Sequence, residues 1–60
     1  MGKKLMFMGE MPNRNGKKFQ VRIYETNEFT DIGHVFVNNE DTNLLLSVSG
    51  AAEYVRQYCA

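Results

Sequence analysis

A chain of 60 residues with zero formal net charge, one cysteine and one histidine holds neither an internal disulfide nor a zinc-finger ligand set. Its pI near 6.5 is not the usual electrostatic footprint of a nucleic-acid binder. At this length only about 60% of the unfolded surface is buried on folding, so the expectation is one domain over residues 1–60 with a thin core, supported by a second copy or another protein.

Met1-Gly2-Lys3-Lys4 is followed by the longest apolar run of the chain, Leu5–Met8, which is too short for a signal peptide or a membrane span. N-myristoylation wants Ser or Thr at position 6, where this chain has Met6. The expected location is the cytoplasm, with no membrane partner.

Lys3–Met11 reads as a first strand that is apolar on both faces, with Leu5 and Phe7 on one and Met6 and Met8 on the other. Pro12 suits a loop or a sheet edge. Lys17–Glu25 is the second strand and the clearest signal in the chain. Phe19, Val21 and Ile23 alternate with Lys18, Gln20, Arg22 and Tyr24, the period of a half-buried strand. A two-residue loop at Asn15-Gly16 would set Glu10 on the apolar face of that strand. A three-residue loop, Arg14-Asn15-Gly16, pairs Phe7 with Ile23, Gly9 with Val21 and Met11 with Phe19, with Gly16 in the left-handed position of a bulged hairpin. A one-residue slip turns every side chain over, so the pattern selects the three-residue loop.

Thr26–Ile32 is a polar connection, and its Phe29 is expected to tuck beneath the sheet rather than stand out as an anchor. Gly33–Val37 is the third strand. Asn38–Asn43 reads as a polar turn, and Leu44–Ser47 as the fourth strand. Pairing Phe36 with Leu44 or Leu46 puts Phe36, Leu44, Leu46 and Val48 on one face and Val35, Val37 and Leu45 on the other. Ser49 is the expected N-cap of a C-terminal helix with Glu53 in its first turn. Ala51, Val55, Tyr58 and Cys59 fall on one face of that helix. The fold class is therefore α+β: a small antiparallel sheet of two hairpins, β-β-β-β-α, with the helix on one face.

One helix cannot cover both faces of four strands. Met6, Met8, Tyr24, Val37 and Leu45 are expected on the second face as apolar contacts, unless the sheet rolls up and buries them. Charge is segregated along the chain. Residues 1–24 set six cations against Glu10, a net of +5, and residues 25–60 set Arg56 against six carboxylates, a net of −5. Arg14, Lys17, Lys18 and Arg22 crowd the first hairpin, where they would select an acidic protein partner.

Catalytic chemistry is poorly represented. His34, Ser47 and Asp31 match a hydrolase triad in residue type only, without a nucleophile elbow. Cys59 at a helix C-terminus reads as a small hydrophobe, because the helix dipole there disfavours a thiolate. Glu40 and Asp41 lack the glycine and spacing of a calcium loop. No metal or cofactor is expected. The leading expectation is a non-enzymatic protein-binding module that binds a larger protein or itself, of the size that phages and mobile elements use for inhibitors and adaptors. The alternative is a nucleic-acid binder working through the basic 13–24 hairpin, with Tyr24 available to stack on a base.

Overall fold

Alternating apolar residues need a partner layer, and the chain supplies it with a single helix. The computed structural model describes residues 4–60, so Lys3, the expected start of the first strand, and Gly2, weighed for N-myristoylation, lie outside the described residues. Strands β1 (Leu5–Pro12), β2 (Lys18–Glu25), β3 (Gly33–Val37) and β4 (Glu40–Leu46) form one antiparallel sheet in the order β1-β2-β3-β4. Helix α1 (Val48–Tyr58) packs on it through β1, β2 and β4. The fold is α+β, as the pattern implies.

The first hairpin adopts the register that hydrophobic alternation selects: Phe7 faces Ile23, Gly9 faces Val21 and Met11 faces Phe19. Asn13 N–H donates to Lys17 O at 2.8 Å, which leaves Arg14-Asn15-Gly16 as the loop. Gly16 has φ +86°, the left-handed value that glycine takes without steric cost. Asn13 ties this loop together. Its Oδ1 accepts from the N–H groups of Asn15 and Lys17, both at 2.9 Å, and its Nδ2 donates to Cys59 O at 3.2 Å. A buried asparagine so engaged fastens the hairpin tip to the end of α1.

Two irregularities decide which side chains face the helix. Between Phe7 and Leu5 the register slips, and Met6 is left as a bulged residue. Simple alternation puts Met6 beside Met8; the bulge turns it back, and Met6 and Phe7 both pack against the core. The second irregularity is the β3–β4 turn. It is not the six-residue Asn38–Asn43 turn read from polarity but the pair Asn38-Asn39, with φ of 50° and 69°, between Val37 and its partner Glu40. Two consecutive positive φ values define the type I′ hairpin turn, whose twist suits the flanking strands. Strand β4 therefore begins at Glu40 rather than Leu44. It takes up the extra residues in a bulge near Asn43, where φ is 61°.

This geometry reverses the expected facing of β3. Val21 pairs with Val37 and Ile23 with Val35, so both valines lie under the helix, Val37 with only 8% of its surface exposed. Phe36, expected under the helix, lies on the opposite face. Met11, Phe19, Val21 and Ile23 complete the sheet side of the core, and Ala51 and Val55 supply the helix side.

The helix starts two residues earlier than the Ser49 cap implies. Ser47 is the N-cap, its Oγ accepting from Gly50 N–H at 3.0 Å, so Glu53 lies beyond the first turn. There Glu53 accepts from Arg56 Nη2 at 2.8 Å and from the Gln57 amide. Those contacts, Arg56 first, hold its carboxyl below the usual range. Tyr58 stacks on Tyr54 with centroids 5.5 Å apart. It stands 72% exposed and does not join the buried helical face.

Candidate functional site

The sheet face away from α1 is built by the even-numbered residues of β2 and β3 together with Met8 and Leu45. Cross-strand partners share a face, so the pairs Met8–Arg22, Arg22–Phe36, Tyr24–His34 and His34–Leu45 set these residues side by side. Tyr24 meets Phe36 edge-on with centroids 5.5 Å apart, and the His34 ring lies 5.0 Å from Phe36. Arg22, Tyr24, Phe36 and Asn39 line an open groove of about 390 Å³. Met8 and Leu45 border this aromatic strip and are 56% and 40% exposed.

The sequence-derived contact residues therefore divide. Met8, Tyr24, Arg22 and Leu45 are brought together on this face. Met6 and Val37 are not; they pack with the core, for the bulge and register reasons given above. His34, Phe36 and Asn39 join the face unanticipated. Phe36 could have been found by reading Val35 and Val37 against Val21 and Ile23. Asn39 was legible in the Asn-Asn pair, a positive-φ turn signal.

The hairpin cations are dispersed rather than pooled. Lys18 is exposed and pairs in register with Pro12, on the same face as Arg22. Lys17 Nζ sits 5.4 Å from the centroid of the Phe19 ring, on the helix side. Arg14 shares an open hollow of about 330 Å³ with Arg56 and Gln57.

His34 does not meet Ser47 or Asp31 in a hydrogen-bonded set. Its Nε2 lies 2.5 Å from Asp41 Oδ1, an exposed contact that ties β3 to β4. Ser47 spends its hydroxyl on the helix cap, and Asp31 accepts from Thr30 Oγ1 at 3.5 Å. Among the described residues no three His, Cys, Asp or Glu side chains are grouped to hold a metal ion, and no helix is long and apolar enough to cross a membrane.

Cys59 packs at the rim of the core, and burial pushes its thiol above the ordinary value. Only the thiolate is alkylated, so raising the pKa lowers the reactive fraction at neutral pH. Iodoacetamide is expected to modify folded Cys59 several-fold more slowly than the urea-unfolded chain at pH 7.5. The difference should narrow as pH rises through the thiol range. Equal rates in the two states, followed by mass spectrometry, would contradict this placement.

The connection between β2 and β3 is also defined. Thr26 Oγ1 accepts from the N–H groups of Glu28 at 3.3 Å and Phe29 at 3.2 Å. Phe29 is not tucked beneath the sheet but stands 48% exposed. A loop whose short span is spent on these local bonds does not fold its aromatic inward.

No protein-family model matches the chain, and neither a curated protein nor a solved structure is significantly similar to it.

Proposed function

We propose that the chain is a non-enzymatic protein-binding module, acting in the cytoplasm, whose helix-free sheet face is the docking surface. The observation that supports this most is the groove between Arg22, Tyr24, Phe36 and Asn39, bordered by exposed Met8 and Leu45. Aromatic residues, methionine and arginine are enriched where proteins meet. Burial of apolar area contributes about 25 cal/mol per Å² removed from water. Methionine repacks readily against varied partners. A module of this size acts by covering a site on its target, which is the economy of an inhibitor or adaptor of the phage type.

Met8→Glu tests the reading. Met8 is outside the buried core, so the variant is expected to keep the wild-type far-ultraviolet spectrum and lie within about 0.5 kcal/mol of wild-type stability. Its association with protein partners, or with itself, should fall by at least about tenfold, or roughly 1.4 kcal/mol. Used side by side as bait in nuclease-treated lysate of the source organism, wild type should retain partners that Met8→Glu loses. Unfolding of the variant would place Met8 in the core and remove the docking face. Retention of every partner by the variant would also refute the reading.

A further inference from the structure

We propose that, in the absence of a target, the sheet face is occupied by the Glu28-Phe29 loop of a second copy, which makes the chain a reciprocal dimer. The inference rests on the docking-face reading and names its first occupant. Three observations carry it.

The first is the state of Arg22. Its Nε is buried with no hydrogen-bond partner, and no ion pair to it is formed among the described residues. A guanidinium in that condition is unusual, because buried donors are normally satisfied. The exposed Arg56, by contrast, is ion-paired: its Nη2 donates to both carboxylate oxygens of Glu53. Of the carboxylates on this face, Asp41 on β4 is already in contact with His34 and accepts from Asn43 N–H at 2.8 Å, and Glu10 on β1 stands opposite Gln20 rather than Arg22. Arg22 is thus the groove cation that still lacks an acceptor. A carboxylate entering the groove meets its terminal nitrogens, and a small rotation of the side chain brings Nε into a two-point pairing.

The second is the loop. The segment 25–31 carries Glu25, Glu28 and Asp31 and no cation. The N–H groups of Glu28 and Phe29 both donate to Thr26 Oγ1, which places the two residues on one hydrogen-bonded turn with Phe29 48% exposed. An aromatic side chain beside a carboxylate, preformed on a short loop, is the chemistry that an arginine flanked by Tyr24 and Phe36 receives.

The third is proximity along the strand. The loop leaves β2 directly after Tyr24 and Glu25, whereas the groove begins at Tyr24 and runs towards Asn39. Two copies facing each other about a two-fold axis can therefore exchange loops, each filling the other's groove. The contact is isologous and closes at two. A nucleic acid is the weaker occupant. It brings one phosphate per nucleotide, whereas Arg22 is the one cation among the four residues that line the groove.

Sedimentation equilibrium under reducing conditions, across a concentration series, decides the matter. Wild type is expected to be a dimer. Phe29→Ala and Arg22→Glu are each expected to weaken it by at least about tenfold while keeping the wild-type circular dichroism spectrum. The double variant Arg22→Glu/Glu28→Arg restores most of the lost affinity, a rescue that a merely structural role for Arg22 does not produce. A wild-type monomer at every concentration overturns the inference, and so does a dimer indifferent to Phe29→Ala and Arg22→Glu. In either case the docking-face reading stands if Met8→Glu still abolishes target capture. A gain of mass with a short single-stranded DNA, such as a thymidine pentamer, lost in Arg22→Glu, would assign the groove to nucleic acid and overturn the dimer.

Discussion

Ile23→Ala is expected to leave most of the chain unfolded at 25 °C. Ile23 is fully buried, paired with Phe7 on one side and Val35 on the other. Truncation of such a side chain costs about 2–5 kcal/mol, the transfer term plus the cavity left behind. A single core in a domain this small rarely supplies more than about 3–5 kcal/mol in total. The two quantities are of the same size, so the loss is not one the remaining core absorbs. Met8→Ala on the other face is the control and should stay within about 0.5 kcal/mol of wild type. Urea titrations followed by circular dichroism compare the two. Similar midpoints for both variants would mean that the sheet is not one-sided in the way described.

Gly33→Ala is the second large effect, and its cause is steric. A methyl group at Gly33 would be driven against the Tyr24 carbonyl oxygen, 2.7 Å from Ile23 Cγ2 and 3.0 Å from the Tyr24 carbonyl carbon. The obstruction is mostly backbone, which cannot swing aside as a side chain does. Overpacking of this kind costs about 1–3 kcal/mol, and for a domain of this size each kcal/mol lowers the melting midpoint by about 4–8 °C. The expected shift is about 10–20 °C downward, with the β2–β3 pairing the first to weaken. Gly50→Ala is a useful contrast: there the nearest neighbour is the Ser47 Oγ at 3.2 Å. A loss below about 4 °C in Gly33→Ala would show that β3 shifts without cost.

These variants also mark where sequence pattern was informative. In β2 the apolar and polar residues alternate without exception from Lys18 to Ile23, so strand, facing and hairpin register followed together. In β3 the run Val35-Phe36-Val37 is apolar on both faces. Alternation then carries no sign, and the larger Phe36 draws the reading towards a buried site it does not occupy. The facing was decided instead by the close fit of Val35 and Val37 to Ile23 and Val21. Met6 was misplaced for a related reason. A bulge changes parity without changing composition, and Leu5–Met8 reads the same with or without it. The Asn38-Asn39 turn was legible, but its signal was submerged in the polar stretch that follows, which belongs to a strand. Of the candidate site, the exposed residues Met8 and Leu45 and the polar-face residues Arg22 and Tyr24 were accessible from alternation. Phe36, His34 and Asn39 depended on pairing between β2 and β3 across a seven-residue connection that does not itself fix register.

The two outer strands of the sheet bear on a hazard common to small open sheets. Each edge strand offers unpaired backbone groups to any neighbouring chain, and a flat, uncharged edge nucleates fibrils. Here β1 contains the apolar Leu5–Met8 run, which would be the most polymer-prone segment as a straight strand. It is bent at Met6 and closed at its far end by Pro12, which has no N–H to give. On the other side β4 is distorted at Asn43 and carries Glu40 and Asp41. Both edges therefore carry features that oppose endless edge-to-edge growth, while the apolar surface of Met8 and Leu45 is left bare on the helix-free face.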